Sequence, residues 1–543
     1  GKWVMVDHAR LNDLLERMHS SDDTITLLDA LKKDIREENQ DPDNGVLITN
    51  GQWLNSFLNN LRHPEKLREA AVPDTVHAVL RPYQKNGFEW LTYMSRIGFG
   101  ACLADDMGLG KTLQVLTYLE NIRISNKDAH ILLIVPASLI GNWQKEQERF
   151  VPDMDVMVLH GLPADSLKKM AEKPAFLNIT TYGMTIRIPQ LAECKWDCII
   201  LDEAQAIKNP VTKQTKAVKS FDGRMRIAMT GTPIENDLTN LWSLFDFLNK
   251  GLLGSSTEFS RYCKTLDSNP ENYIKLKSMI NPFLLRRMKT DKKIIKDLPE
   301  KFEMTDYAEL SKKQVVLYRK TVEDTARKIN DADGMERRGI VLASIMKLKQ
   351  ICNHPDQFLG GEAYTASESG KFALLRDICE TIYEKRERVL VFTQFREMTD
   401  CLADYLESIF HAKGEVIHGG VAPKKRTAIV ERFQSDEYVP FIICSVKAAG
   451  TGLNLTKANH VIHFDRWWNP AVENQATDRA FRIGQEKNVM VHKLVSKGTI
   501  EEKIDTLINS KKELAENVIG EGSEKWITEL SNDELLSLLR LEI

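Results

Sequence analysis

Hydrophobic positions fall into two patterned stretches separated by a third of different character. Between about residues 80 and 250, short apolar runs at 100–104, 131–135, 198–201 and 227–229 alternate with helical stretches. Runs that are apolar on both faces predict parallel strands covered by helices. From 251 to about 360 the alternation gives way to charged, helix-rich sequence. It returns between about 370 and 500, with runs at 389–392, 441–444, 461–464 and 489–495. The pattern predicts an α/β fold of two parallel-sheet lobes with a helical insertion between them. Residues 1–75 read as a helical accessory segment with polar breaks such as Asp41-Pro42-Asp43-Asn44-Gly45. The divisions expected are 1–75, a first lobe 76–250, helical protrusions and linker 251–365, a second lobe 366–510, and a C-terminal helical brace 511–543. In the tail, Thr499 with Glu502 and Ser531 with Glu534 mark helix starts. Ile500, Ile504, Leu507, Ile508 and Leu514 form one face, and Gly520 is a stop.

Composition narrows this little. The 543 residues exceed one compact core, and 42% hydrophobic with 28% charged residues is ordinary for a globular protein. No apolar run approaches the roughly 18 residues of a membrane helix, so no membrane partner is expected. The eight cysteines lack metal spacing, and reduced thiols predict a cytoplasmic location. A start at Gly1 predicts that native sequence precedes it. The net charge of −3 argues weakly against nucleic acid, but charge is segregated. Arg286, Arg287, Lys289, Lys292, Lys293 and Lys296 cluster against the single acid Asp291.

The chemistry begins at Asp105-Asp106-Met107-Gly108-Leu109-Gly110-Lys111-Thr112, which follows a predicted strand and opens a helix. That context suits a phosphate loop, in which glycines let backbone amides surround phosphate oxygens. Asp106, Gly108 and Gly110 would line it, Lys111 would reach the β- and γ-phosphates, and Thr112 would ligate Mg2+. Asp105 stands where the usual pattern has glycine. Asp202 and Glu203, in Leu201-Asp202-Glu203-Ala204-Gln205, leave the C-terminal end of a predicted strand, where α/β sheets place ligand groups. Asp202 would hold Mg2+, and Glu203 would polarise the attacking water. Far along the chain, Arg479 and Arg482 are three apart, on one face if helical. Such arginines are usually solvated or salt-bridged. Paired with a distant phosphate loop they become candidate arginine fingers, which requires the two lobes to face each other across ATP.

Taken in order, these segments resemble helicase superfamily two, and specifically the SWI/SNF-type DNA translocases. The resemblance runs from about 76 to 520. It rests also on Leu80-Arg81-Pro82-Tyr83-Gln84, Val135-Pro136-Ala137-Ser138, Thr230-Gly231-Thr232-Pro233 and Leu348–Pro355 (Leu-Lys-Gln-Ile-Cys-Asn-His-Pro). Further matches are Val391-Phe392-Thr393-Gln394-Phe395, Ala449–Leu455 (Ala-Gly-Thr-Gly-Leu-Asn-Leu), Trp467-Trp468-Asn469-Pro470 and the block from Gln475 to Gln485. It implies two tandem RecA-like lobes, a Walker A loop, a DEAQ box and DNA-dependent ATP hydrolysis. Gln84 would read the adenine edge. Thr230, Gly231 and Thr232 would couple hydrolysis to nucleic-acid contact, and Gln475 would sit near the γ-phosphate. Double-stranded DNA would be held by Pro136, Ala137, Ser138, Thr181, Thr393, Gln394, His418, Gly419, Gly420, Gly450, Thr451, Gly452 and Asn454. Backbone amides and small polar side chains suit sequence-independent phosphate contact. Phe481 departs from the histidine of many members. Residues near Trp53 and Pro64, and 529–536, look like bacterial members. A monomer is expected, acting on RNA polymerase or other DNA-bound protein. The alternatives are a strand-separating helicase and a nucleotide-gated clamp or subunit of a polymerase-recycling or defence complex. Trp143 and Trp90 read as core residues, and the tryptophan pair 467–468 as a packing anchor.

Overall fold

The computed structural model describes residues 60, 67 and 70–542, except 163–165, 168–171, 232–237, 267–269, 290, 292–297, 331–333, 450–452, 468–469 and 507–529. The expectations for most of 1–75, for Thr232, Pro233, Lys292, Lys293, Lys296, Gly450, Thr451, Gly452, Trp468 and Asn469, and for Leu507, Ile508, Leu514 and Gly520, lie outside the described residues.

Two parallel sheets carry the molecule. The first contains β1 (Ala101–Leu103), β2 (Ile131–Val135), β3 (Val156–Val158), β4 (Leu177–Thr181), β5 (Lys195–Leu201), β6 (Asp222–Met229) and β7 (Leu284–Leu285), in the order β3-β4-β2-β5-β6-β1-β7. The second contains β8 (Lys301–Ala308), β9 (Val389–Thr393), β10 (Glu415–Ile417), β11 (Phe441–Ser445), β12 (His460–His463) and β13 (Val489–Ser496), in the order β10-β11-β9-β12-β13-β8. The central strands β2, β9 and β11 are buried at every position. Each sheet is clad on both faces, so two apolar clusters flank the first and two the second. This is the architecture that strands apolar on both faces require.

The stretch expected to be helical, 251–365, also sends one strand into each sheet. β7 pairs with β1 in the register Cys102↔Leu284, and β8 pairs with β13 along eight residues. β8 reads Lys-Phe-Glu-Met-Thr-Asp-Tyr-Ala and lies at a sheet edge, half exposed. An edge strand needs no apolar run, which is why the hydrophobic pattern missed it. The insertion's long helices, Lys312–Asn330 and Gly334–Asn353, pack against Ile500, Ile504 and the last helix, Asn532–Leu539. The Ser531–Glu534 capping box is formed. At the other site Thr499 accepts from Glu501 N, while Glu502 reaches back to Gly498 N rather than to Thr499.

Candidate nucleotide site between the lobes

Strands β5, β6 and β1 are neighbours, so their C-terminal ends deliver three loops to one sheet edge. β1 runs into the phosphate loop, β5 into Asp202 and Glu203, and β6 into Thr230 and Gly231. Helix α1 (Pro82–Ile97) starts with its proline at the first helical position and covers the loop from one side. Helix α2 (Lys111–Ser125) leaves the loop directly.

The loop turns through two left-handed glycines, Gly108 at φ 82° and Gly110 at φ 76°. Neither position has room for a side chain. A Cβ at Gly110 would meet Gln84 Nε2 at 2.4 Å, and one at Gly108 would meet Arg482 Cβ at 2.4 Å. Lys111 Nζ donates to Asp105 O at 2.5 Å. Gln84 is buried with its amide fixed at both ends. Its Oε1 accepts from Arg81 N at 2.9 Å, and its Nε2 donates to Leu109 O at 3.1 Å.

The departure at Asp105 has a structural reason. Its carboxylate is fully buried and accepts from Arg287 Nε at 2.8 Å, from Arg287 Nη2, from Arg287 N at 3.1 Å and from Gln114 Nε2 at 3.1 Å. A glycine there would leave the buried guanidinium without its counter-charge.

Asp202 is held by three neighbours. Its Oδ2 accepts from the indole Nε1 of Trp143 at 2.8 Å, its Oδ1 from Glu203 N at 2.9 Å, and its carbonyl from Tyr182 OH at 2.8 Å. Burial, then the charge of Glu203, push the Asp202 carboxyl up to about 7. Glu203 adopts φ 50°, a left-handed conformation rare outside glycine, and such strain clusters at functional sites. Its Oε2 accepts from Gln205 Nε2 at 2.7 Å, and Gln205 Oε1 accepts from Thr230 Oγ1 at 3.1 Å. The glutamine of the DEAQ box therefore joins the carboxylate to the loop after β6.

The second lobe closes the site. Helix α4 (Pro470–Thr477) carries the half-buried Gln475 and ends before the arginines. Arg479 and Arg482 thus lie on the turns that follow, not on one helical face. The cause is tertiary: Arg479 O accepts from Leu455 N at 3.0 Å, a bond to a neighbouring loop rather than to a further helical turn. Arg479 is buried, and its Nη2 reaches Met107 Sδ at 3.7 Å. Burial first, then the like charge of Arg482, lower its guanidinium to about 10, while Glu203 opposes that shift. Arg482 packs on Gly108 and faces Glu146. Both candidate fingers therefore stand opposite the phosphate loop.

Sequence reasoning missed several participants. Trp143 and Glu146 lie one turn apart on helix α3 (Ile140–Phe150), and Glu146 Oε1 accepts from Asn142 Nδ2 at 3.3 Å. Trp143 is core, as expected, yet it also binds Asp202. No local signal separates a core tryptophan from one that orients a carboxylate. Phe481 lies under the Lys289 ammonium at 5.2 Å, a cation–π contact.

The residues present fit a nucleoside triphosphate with Mg2+. Two glycines keep the loop backbone bare, and Thr112 and Asp202 are oxygen donors of the type Mg2+ takes. Arg479 Nε is buried with no hydrogen-bond partner among the described residues.

The expected DNA-facing residues are spread over both lobes. Ala137 and Ser138 are exposed on a 3-10 turn after β2, with Pro136 half-buried beside them. Gly419, Gly420 and Asn454 are exposed, and His418 Nδ1 accepts from Gly420 N at 3.0 Å. Thr181 is buried at the end of β4. Thr393 is buried too, its hydroxyl donating to Asp465 Oδ2 at 2.6 Å, so it shapes its loop rather than offering a hydroxyl outward. Gln394 N donates to Asp465 Oδ1 at 2.8 Å.

Two nucleotide-fold lobes with a phosphate loop on one and arginines on the other define a two-lobed nucleotide hydrolase. The SNF2-related domain family matches residues 83–357, and the helicase conserved C-terminal domain matches 370–484. The chain belongs to the SNF2-related family of ATP-dependent, helicase-like enzymes. It is 41% identical to a Bacillus subtilis protein, YwqA, named provisionally as an ATP-dependent helicase/translocase, over all of this chain and 61% of that protein. It is 34% identical to the ISWI chromatin-remodeling complex ATPase ISW2 of Saccharomyces cerevisiae, over 85% of this chain and 43% of the relative. The Sulfolobus solfataricus SWI2/SNF2 ATPase core, solved in complex with double-stranded DNA, is 42% identical, with a TM-score of 0.44, covering 88% of this chain and all of that one. The chain spans about three fifths or less of the length of these curated relatives. No helix among the described residues is long and apolar enough to cross a membrane.

Proposed function

We propose that this chain hydrolyses ATP in the cleft between its lobes and uses the cycle to move along double-stranded DNA, displacing protein bound there. The observation that carries the reading is the packing of Arg482 on Gly108 and of Arg479 on Met107. Cations from the far lobe can complete the phosphate site only when the lobes are closed. Nucleotide state is then linked to lobe position, and a linked hinge is what turns hydrolysis into movement.

Lys111 would bind the β- and γ-phosphates, and the amides around Gly108 and Gly110 would orient them. Mg2+, held by Thr112 and Asp202, would neutralise charge on the phosphates. Glu203 would orient and polarise the attacking water, fixed by Gln205. Arg479 and Arg482 would stabilise charge on the transferring phosphoryl group, with Gln475 beside it. Gln84 would sit at the adenine edge. DNA phosphates would be met by Pro136, Ala137 and Ser138 on the first lobe and by His418, Gly419, Gly420 and Asn454 on the second. Thr181, Thr393 and Gln394 would hold the turns after β4 and β9 in place, and Gly450, Thr451 and Gly452 would add amides. The name of the yeast relative supports action on protein-bearing DNA.

The test is ATP turnover against duplex length, together with release of a triplex-forming third strand. Turnover should rise with duplex length and exceed that on single strands, and the third strand should leave while the duplex stays paired. Equal stimulation by single strands with unwinding would instead establish a strand-separating helicase. ATP binding with negligible turnover would establish a clamp.

A further inference from the structure

The linker segment 284–289 touches both halves of the site. Its backbone is joined to the strand and loop that bind phosphate. β7 pairs with β1, and the ladder continues past the strand as Ala104 N to Leu285 O at 2.8 Å and Asp106 N to Arg287 O at 3.1 Å. Arg287 locks the side chain of Asp105, and Lys289 N donates to Asp106 Oδ2 at 2.9 Å. Through these bonds the segment must follow any displacement of the phosphate loop.

Its last side chain crosses to the other lobe. The Lys289 ammonium is buried, sits 2.9 Å from Asp478 Oδ1 and donates to Phe481 O. Asp478 immediately precedes Arg479, and Phe481 immediately precedes Arg482. One cation thus holds the turn that carries both arginines. Three buried positive groups so close together repel one another, and Asp478, with a smaller contribution from Asp106, offsets that repulsion at Lys289.

We infer that Lys289 is a positioning residue for Arg479 and Arg482, registering their turn against the phosphate loop through the Lys289–Asp478 ion pair. The inference rests on the reading of those arginines as fingers. Lys289 acts through them, so its loss should lower turnover rather than nucleotide affinity.

The experiment compares kcat and KM for ATP, at saturating duplex DNA, in Lys289→Met, Asp478→Asn, Arg482→Ala, Arg479→Ala/Arg482→Ala and that double variant with Lys289→Met added. Lys289→Met should lower kcat ten- to hundredfold with KM within threefold. Asp478→Asn, which leaves the lysine in place, should do the same if Lys289→Met fails to fold. Lys289→Arg should recover most of the loss. In the Arg479→Ala/Arg482→Ala background Lys289→Met should lower the residual kcat less than threefold further, because its effect passes through the two fingers. Wild-type kcat in Lys289→Met beside an inactive Arg482→Ala overturns the positioning role and leaves the fingers standing. An undiminished tenfold loss in the Arg479→Ala/Arg482→Ala background overturns it as well. Full turnover in Arg482→Ala removes the finger reading, and this inference with it.

Discussion

The indole N–H of Trp143 donates to Asp202 Oδ2 at 2.8 Å, and both residues are buried. Trp143 lies on α3, which follows the exposed turn carrying Ala137 and Ser138. The expected DNA-facing turn is thus a few residues from the indole that holds the Asp202 carboxylate. A hydrogen bond to a buried charged group contributes about 1.5–3 kcal/mol. Trp143→Phe keeps the ring and removes the donor. ATP turnover should fall about tenfold to a hundredfold, and the Mg2+ concentration for half-maximal rate should rise. Turnover within twofold of wild type would show that the bond does not orient Asp202.

Gln205 joins Glu203 Oε2 at 2.7 Å to Thr230 Oγ1 at 3.1 Å. Gln205→Leu fills similar space and cuts both bonds. Duplex-stimulated turnover should drop about tenfold, near the value of one hydrogen bond to a carboxylate, with binding of a non-hydrolysable ATP analogue unchanged. Weakened analogue binding at unchanged turnover would place Gln205 in nucleotide recognition instead.

How much of this was legible in the sequence depends on where the information resides. Both parallel sheets announced themselves, because strands such as β2 and β11 are buried on both faces and must be apolar throughout. β4 was hidden by Asn178 and Thr180, buried polar residues. Asn178 is satisfied by bonds to Ile131 O and Ala175 O. β8 and β10 were hidden because edge strands tolerate polar faces, and β3, though apolar, because three residues make too short a run to stand out. In the site, Lys111, Asp202 and Glu203 were readable because each belongs to a contiguous loop with fixed local geometry. The partners Trp143, Arg287 and Lys289 were not. Their roles come from side chains 59, 182 and 189 positions away, since the Lys289–Asp478 separation is 478 − 289. The spacing of the two arginines leaves open whether they share a helical face, and the Leu455–Arg479 bond that accompanies the turn joins residues distant in sequence.

Gly108 lies directly against Arg482 of the second lobe. An alanine there adds left-handed strain of about 1–2 kcal/mol. Its Cβ would also lie 2.4 Å from Arg482 Cβ, an atom that cannot swing aside without its backbone. Gly108→Ala should therefore hold the second lobe away from the loop. Turnover should fall at least a hundredfold, with the thermal midpoint changed by only a few degrees. Wild-type turnover in this variant would mean that hydrolysis does not require the closed arrangement.

His463 gives the second lobe an acid-sensitive support behind the finger turn. The ring stacks on Phe392 at 5.6 Å, and its Nε2 meets Thr477 Oγ1 at 2.9 Å. Burial is the main cause that lowers the imidazole to about 4. Lys493 and Arg466 lower it further, while Glu473 and Glu303 oppose. A histidine depressed in the folded state stabilises fully above its unfolded value near 6.5, where both states are neutral. That contribution is lost as pH falls from about 6.5 toward 4, because only the unfolded chain takes up the proton. The loss should reach about 3 kcal/mol, one proton over about 2.5 pH units. Urea unfolding of wild type and His463→Gln at pH 7.5 and 4.5 measures it. The gap between the two should shrink by roughly that amount at the lower pH, and parallel pH dependence in the two proteins would show that the imidazole is not held neutral.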